Sequence, residues 1–568
     1  LVSFYRHEPF LDTLQFGLVL TIAAIPVALP AVLSVTMAVG ASYLAKKKAI
    51  VSKLVAIEEM AGMDILCSDK TGTITKNELT LADIKSFKNF SPDDVLLFAS
   101  LASREEDKDP IDSAIIQKAK SVDTLADKLS SYQIKEFKPF DPVIKRCEVT
   151  VADKNNKIFK ITKGAPQVIL ALLENSEQEK TSELINKQID EFALNGFRTL
   201  GAARTNDQGK WEYVGLVPLF DPPRDDSAET IKAALDLGVK VKMITGDHTA
   251  IAKQIAKKVN LKTNIQEASA FIDKPEKEAI KIIETSDGFA QVFPEHKYKI
   301  VELLQETKHI VGMTGDGVND SPALKKADVG IAVAGATDAA KSAAAIVLTL
   351  PGLSVIIDAL KESRKIFQRM NSFAIYRITE TIRVLFFIAL TIIVFNFYPV
   401  TAVMIVLLAL FNDAPIMAIA FDNVKYSNEP EKWDMRVILS MATFLGLLGV
   451  VSSFGIFYIG QEILQLSKDS IQTFIFLKLA IAGHLTIFLT RTRGPFWSIK
   501  PSATMFWAAV ITKILATLVA VYGLFISPIS WELASFIWGY ALAAFLITDF
   551  LKVKIYKILD HRDIKFKN

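Results

Sequence analysis

The sequence predicts a multidomain chain with three parts. These are an α/β domain, an α+β domain inserted into it, and a helical membrane domain of about seven transmembrane helices. Three observations predict this. The 568 residues are 51% apolar yet 22% charged, with mean hydropathy +0.30. That fits charged soluble parts joined to very apolar ones, in a chain too long for one core. Residues 49–350 alternate short apolar runs with amphipathic charged segments, the texture of a parallel sheet with helices. Near-uncharged runs of membrane-spanning length flank that block.

Composition also excludes. Net charge is +3, from 65 basic and 62 acidic residues, so there is no electrostatic footprint for nucleic acid. Cys67 and Cys147 are the only cysteines, too few for a disulfide framework or a multi-cysteine metal cage, and they fit reduced thiols. The first residue is Leu and no basic stretch leads into an apolar one, so the chain is expected to start mid-protein, without a signal peptide.

The first span covers residues 14–45 and closes on Lys46-Lys-Lys48. Pro26 and Pro30, four apart, remove donors and free carbonyls one turn upstream. An ion path, a packed polar pocket and a plain proline kink all remain open. No Cys or Glu lies between the prolines, which argues against a soft-metal site and against a hard-cation cage.

The soluble block is organised around Cys67-Ser-Asp-Lys-Thr-Gly-Thr-Ile-Thr75, where a strand-like run ends on a carboxylate. Asp69 suits a phosphoryl acceptor, Lys70 adds positive charge, and Gly72 lets the backbone approach an oxyanion. Alone, the stretch reads first as a solvated Asp-Lys-Thr-Gly turn. Further clusters follow apolar runs at Thr245-Gly-Asp247 and Thr314-Gly-Asp-Gly-Val-Asn-Asp320, and Phe293-Pro-Glu-His-Lys297 opens an amphipathic helix. Ends of parallel strands converge on one edge, where ligands bind. Asp69, Thr245, Lys297, Asp316 and Asp320 are therefore expected to meet around a phosphate and a Mg²⁺.

Asp69-Lys-Thr-Gly-Thr73, Lys163-Gly-Ala-Pro166, Asp221-Pro-Pro-Arg224, Thr245-Gly-Asp247 and Thr314-Gly-Asp-Gly-Val-Asn-Asp320 stand in the order seen in P-type ATPases, which the chain resembles over nearly its whole length. Ile57-Glu-Glu-Met-Ala-Gly-Met63, Phe293-Pro-Glu-His-Lys-Tyr298 and Ala323-Leu-Lys-Lys-Ala-Asp-Val-Gly-Ile-Ala-Val333 resemble the plasma-membrane proton pumps in particular. The resemblance implies a haloacid-dehalogenase-like phosphorylation domain. In it Asp69 is phosphorylated, and Asp69, Thr71 and Asp316 hold Mg²⁺. Thr245 and Lys297 hold the transferred phosphoryl group, Lys70 belongs to the catalytic set, and Asn319 and Asp320 orient it. Cationic stabilisation of equatorial oxygens is what phosphoryl transfer needs.

The same resemblance makes residues 86–215 an inserted nucleotide-binding domain for ATP. Phe140 stacks on adenine, Lys163 lines the pocket, and Arg198 reaches the phosphates, with Lys145 and Asp247 counted among the pocket residues. No phosphate-cradling Gly-x-x-x-x-Gly-Lys-Ser/Thr loop is present. Asp221-Pro-Pro-Arg224 marks the return, stiffened by its prolines. The implied boundaries are 1–48 for the end of a third helix and a fourth span, 49–85 and 216–352 for the phosphorylation domain, and 353–568 for the stalk and helices five to ten.

From residue 353 a charged helical pattern runs unbroken into an apolar one, reaching Val394. Further spans are expected near residues 402–420, 437–458, 473–489, 505–525 and 529–550. Basic residues crowd alternate connections, which places the soluble block, the stalk and the C-terminus in the cytoplasm of a multi-pass plasma-membrane protein. Arg383 and Asp413 fall near mid-depth, at ~1.5 Å rise per residue, where charge is costly and functional or paired. The resemblance makes Asp413 the proton acceptor and Arg383 the barrier to its return, and a structural ion pair is the other reading. Lys478 and Lys513 are expected as partners or snorkelling groups. Glu380, His484 and Asp549 are taken as less central.

The resemblance further implies an actuator domain with a Thr-Gly-Glu loop, missing from this chain, and a regulatory tail that the chain does not contain. The expected function is ATP-driven proton export. The alternatives are the same machine moving Na⁺ or K⁺, and a membrane-tethered phosphatase or nucleotide-binding module.

Overall fold

The computed structural model describes residues 14, 17, 21, 28–87, 89–106, 109–173 and 175–566. Two compact units emerge. One comprises Lys48–Ser52 and Met63–Ile357, and the other the remainder.

The strands of the first unit, in chain order, are β1 (Ala49–Val51), β2 (Ile65–Asp69), β3 (Thr80–Leu81), β4 (Lys85–Ser86), β5 (Gln133–Asp141), β6 (Arg146–Ala152), β7 (Ile158–Gly164), β8 (Arg198–Thr205), β9 (Trp211–Phe220), β10 (Lys240–Ile244), β11 (Ile265–Glu267), β12 (Gly288–Ala290), β13 (Val311–Gly315), β14 (Val329–Ala332) and β15 (Ile346–Leu348). Eight of them form one sheet in the order β1-β15-β14-β13-β2-β10-β12-β11. All its neighbours pair in parallel except β1 with β15.

β2 is central and buried along its whole length, as an Ile-Leu-Cys-Ser-Asp run covered on both faces should be. Its neighbours are β10 on one side and β13 on the other. The chain therefore leaves β2 in one direction across the sheet and later returns on the opposite flank. That arrangement opens a crevice beyond the carboxyl end of β2. Ile65, Cys67, Ile244, Phe289, Ile300, Leu304 and Met313 pack into one apolar core around these strands.

The chain between β2 and β10 builds a second, seven-stranded sheet in the order β3-β9-β8-β7-β6-β5, with β4 also on β9. Thr80 faces Phe220 in antiparallel register, so this sheet closes where the chain enters and leaves it. The helix Pro92–Leu101 starts at a reciprocal cap. The Ser91 hydroxyl accepts from the Asp94 N–H at 3.2 Å, and the Asp94 carboxylate accepts from the Ser91 N–H at 2.9 Å. Pro92 follows at a position that needs no donor. The helix then packs Val95, Leu97 and Phe98 against Val149, Ile161 and Val217 of the sheet.

The other unit is helical. Among the described residues six helices are long and apolar enough to cross a membrane: Leu353–Phe395, Ala402–Phe421, Met435–Ile463, Lys468–Thr490, Ala503–Tyr522 and Trp531–Leu559. Leu353–Phe395 is one unbroken helix of 43 residues. Lys468–Thr490 is buried on nearly all sides. The others expose large apolar side chains such as Val394, Val406, Leu410, Val451 and Phe550, which suits lipid contact.

The seventh expected span lies partly outside the described residues, as does Pro26. Its described part is the helix Ala28–Lys46, with Pro30 in the first turn, where a missing N–H costs no hydrogen bond. Two expected ends move. The span placed at 505–525 stops at Tyr522, because Gly523 takes a left-handed conformation (φ 68°) and caps the helix on Val519 O. The final helix continues beyond Phe550 to Phe566.

Candidate functional site

The crevice at the carboxyl end of β2 gathers its groups from three strand ends and one helix start. Asp69 is the last residue of β2, Thr245 follows β10, Asp316 follows β13, and Lys297 lies in the first turn of the helix Pro294–Glu306. The register aligns Asp69 with Ile244, which brings Thr245 to the same edge. The Asp69 N–H donates to Thr314 Oγ1 at 2.9 Å, so a β13 hydroxyl fixes the backbone of the candidate nucleophile.

Lys297 is the hub. Its Nζ donates to Asp69 Oδ2 at 2.8 Å and to Asp320 Oδ1 at 2.7 Å. Asp320 is locked in turn, because its Oδ2 accepts from the N–H groups of Asp316 at 3.2 Å and Gly317 at 3.1 Å. That loop folds back tightly, since a Cβ on Gly315 would sit inside contact distance of Asp320. Gly72 (φ 71°) provides the other narrow turn of the site.

Electrostatics follow from burial and this pairing. Burial pushes the Asp69 carboxyl above its ordinary range, and Lys297 opposes the push. Burial works against the charge of Lys297, but Asp69 and then Asp320 outweigh it and hold the ammonium above its usual value. Burial, and next the neighbouring Asp320, also raise Asp316.

Asp69, Asp316 and Asp320 place carboxylate oxygens within 4.8 Å of one another. Three carboxylates against one ammonium leave surplus negative charge and hard oxygen donors, a fitting set for Mg²⁺. The expected set named Thr71 with Asp69 and Asp316. Asp320 adds a third carboxylate to Asp69 and Asp316, because its loop turns back over Gly315. Thr71 is half-buried on the turn after β2. Asn319 is exposed and stands outside the Lys297 network.

Lys70 is buried and pairs with Asp247 at 2.8 Å and with Asp221 at 3.8 Å. Asp221 also accepts from Thr75 Oγ1 at 2.5 Å. Asp247 thus joins the strand-end cluster instead of the inserted domain's cavity, because it leaves β10 two residues after Thr245, whose hydroxyl accepts its N–H at 3.1 Å. From sequence, Asp221 is expected only as part of a stiff return. Its role as a lysine partner is a contact across 151 residues that no local pattern announces.

The inserted domain holds a cavity of about 530 Å³ lined by Phe137, Phe140, Asp112, Cys147, Lys163 and Arg198, among others. Three expected nucleotide residues therefore share one cavity. Phe140 is 60% exposed, which leaves a ring face free for stacking. Lys163 is buried and donates to Asp112 and to Ser103, each at 2.5 Å. Lys145 does not line the cavity. It sits at φ 52° in the β5–β6 turn.

In the helical unit, Arg383 is buried and ion-paired with Glu380 one turn earlier. It also donates to Leu479 O at 3.2 Å and Thr486 Oγ1 at 3.4 Å. Asp413 is exposed on the helix Ala402–Ala418 and makes no hydrogen bond or ion pair among the described residues, the nearest opposite charge acting on it being Arg377. The structure does not bring the two together. Lys478 is buried and donates to Ser453 Oγ at 2.6 Å, so it does not snorkel. Lys513 lies over the Phe488 ring, 5.4 Å from its centre. Glu380, set aside in the sequence reading, is the carboxylate that Arg383 uses. Its spacing of three residues from Arg383 was the available signal.

A mostly parallel sheet whose central strand ends on a carboxylate, facing a lysine and a second acidic loop, defines the α/β domain of this unit. Residues 63–328 match the family model described as a haloacid dehalogenase-like hydrolase. Over 98% of this chain and 69% of the relative, the sequence is 54% identical to a protein of Methanocaldococcus jannaschii named as a cation-transporting ATPase. It is 44% identical to the plasma membrane ATPase of Kluyveromyces lactis, over 92% of this chain and 59% of that one. It is also 44% identical to plasma membrane ATPase 1 of Saccharomyces cerevisiae, over 92% of this chain and 58% of that one. The chain belongs to the P-type ATPase family, alongside the plasma-membrane pumps, and is a multi-pass membrane protein. It spans just over half the length of these fungal relatives.

Proposed function

We propose that the chain forms the phosphorylating and ion-carrying part of an ATP-driven proton exporter. The observation that carries this reading is Lys297 held between Asp69 and Asp320 at the end of β2. Asp69 is the nucleophile. One of its carboxylate oxygens bonds to the γ-phosphorus of ATP while the bond to the ADP oxygen breaks, leaving an acyl phosphate and ADP. Lys297 neutralises Asp69 at rest and stands ready to pair with the equatorial oxygens as charge moves onto them. Thr245 offers its hydroxyl from the adjacent strand end, Lys70 adds positive charge, Asp320 keeps Lys297 aimed, and Asn319, exposed on the same loop, supports the site. Asp69, Thr71, Asp316 and Asp320 are the groups that would hold Mg²⁺, which when bound offsets phosphoryl charge.

ATP binds in the cavity of the inserted domain. Adenine stacks on Phe140, Lys163 lines the site, and Arg198 reaches toward phosphate; Lys145 and Asp247, outside the cavity lining, would reach ATP only from its surroundings. Residues 49–85 and 216–352 are read as the phosphorylation domain and 86–215 as the nucleotide domain. The soluble block is cytoplasmic, which alternating basic connections support, and the membrane is the plasma membrane, as in the names of the fungal relatives. Asp413 is the proton acceptor. Arg383, fixed by Glu380, is the charge that opposes return.

The test is acid-stable, hydroxylamine-sensitive labelling from γ-labelled ATP, with the internal pH of vesicles carrying the whole protein followed in parallel. Asp69→Asn is expected to lose all labelling. Asp413→Asn is expected to keep labelling but lose acidification. Labelling that survives Asp69→Asn would refute the nucleophile, and undiminished acidification in Asp413→Asn would refute the proton site. Acidification replaced by Na⁺ or K⁺ flux would move the assignment to those ions.

A further inference from the structure

Three helices of the membrane unit meet at Gly483. A side-chain carbon on this glycine would lie 3.3 Å from Asn412 Oδ1, 3.4 Å from Arg383 Nη2 and 3.5 Å from Glu380 Oε2. The glycine thus lets polar groups of Leu353–Phe395 and Ala402–Ala418 converge against the backbone of Lys468–Thr490. Arg383 Nη2 is spent on Glu380 Oε2 and Leu479 O. What remains are polar atoms left without partners. Glu380 Oε1, Asn412 Oδ1 and His484 Nδ1 are all buried without a hydrogen-bond partner.

The histidine sharpens the point. His484 is fully buried, and its Nε2 lies 3.1 Å from Phe411 O. A carbonyl can only accept, so Nε2 carries the hydrogen and Nδ1 of the neutral ring presents a lone pair. Three buried acceptors, one of them a carboxylate 4% exposed, thus lack a donor, while Tyr376 Oη, Arg377 Nε and Arg383 Nε lack an acceptor. Buried polar groups are almost always satisfied. A species that brings hydrogens of its own, a water or a protonated water, is what this set accepts.

We propose that Glu380, Asn412 and His484 form a buried station for a protonated water around Gly483, with Glu380 as a second proton-carrying carboxylate beside Asp413. This rests on the reading of the chain as a proton pump. In the step, an O–H bond forms on Glu380 Oε1 as an O–H bond of the hydronium breaks, leaving neutral water. Glu380 then no longer offsets Arg383, whose charge favours onward release of that proton. The other charged and titratable groups near the station are Lys478 on the buried helix, Lys513 on Ala503–Tyr522, and Tyr376 and Arg377 on the helix of Glu380. None is an acid that competes with Glu380 for this role at neutral pH.

The test uses the whole protein in vesicles, with Asp69 labelling and acidification measured on the same preparation. Glu380→Gln is expected to label as the unaltered protein does and to acidify at least tenfold more slowly. Gly483→Ala, which puts a methyl group into the meeting point, is expected to do the same to a smaller degree. Infrared difference spectra between phosphorylated and resting protein supply the measurement that does not depend on how a variant folds. A carboxylic-acid carbonyl band is expected, reduced in intensity by Glu380→Gln. Native acidification in Glu380→Gln, or a band wholly removed by Asp413→Asn, overturns the station while leaving the pump reading intact. If the unaltered protein labels Asp69 but does not acidify, the pump reading fails first.

Discussion

The strand-end crevice and the membrane polar cluster each place one buried cation beside carboxylate, and they differ in what is left over. Lys297 has two partners, Asp69 and Asp320, with Asp316 close by, so the surplus is negative charge. Arg383 has a single carboxylate, Glu380, and the surplus is hydrogen-bond acceptors. A surplus of negative charge among hard oxygens calls for a divalent cation. A surplus of buried acceptors calls for something that carries hydrogen. The same residue classes therefore prepare two kinds of chemistry, set by how many partners the fold supplies to the cation.

Removing each cation tests the comparison most strongly. Lys297→Met leaves two carboxylates facing each other, and breaking such a buried pair costs about 3–5 kcal/mol. The expected result is lost labelling of Asp69 and an unfolding midpoint shifted down in denaturant titrations. Arg383→Met should be milder, because Arg383 has one carboxylate partner where Lys297 has two. Its expected signature is retained labelling with impaired acidification. Equal destabilisation by both changes would erase the distinction.

A smaller effect sharpens the charge-surplus side. Asp316→Asn removes one of the three clustered carboxylates. The Mg²⁺ concentration for half-maximal labelling is expected to rise at least about tenfold, the cost already typical of losing a partner that merely orients a ligand. An unchanged Mg²⁺ requirement would mean that Asp69 and Asp320 suffice. Phe140→Ala acts at a distance from both clusters. Loss of a stacking ring is worth about 1 kcal/mol, roughly a fivefold rise in the ATP concentration for half-maximal labelling. Fold stability should hold, since the ring is 60% exposed.

The gentlest probe is pH. The Asp69 carboxyl is raised in the folded protein by burial, so within its titration range the folded state holds more proton than the unfolded one. Its contribution to stability is therefore complete below the ordinary carboxylate range and is lost as pH rises through the raised value. Asp69→Asn, which cannot ionise, should show a flatter fall in unfolding midpoint across that window. A steeper fall in the variant would contradict the burial assignment.

Much of this was legible in residue order. Strand-end carboxylates after apolar runs announced Asp69 and Asp316, and a proline-started amphipathic helix announced Lys297. Charge-free runs of bilayer length announced the membrane helices. Gly523 was a readable stop that the apolar run concealed, because hydropathy does not register a left-handed cap. Asp247 pairs with Lys70 at the sheet edge, a contact its short loop does not announce. Glu380 was set aside because one charge in a long helix says nothing about what the facing helices bring.

The sequence by itself determined what depends on neighbours along the chain: the elements, the burial of β2, the caps, the spans and the chemical identity of the strand-end groups. Only the tertiary structure decided which groups meet. Lys297 reaches Asp69 across 228 positions, and Asn412 approaches Arg383 and Glu380 only because Gly483 on a third helix has no side chain. Periodicity and propensity act over a few residues. The number of partners each buried cation receives depends on close packing between distant segments, and no local pattern carries that information.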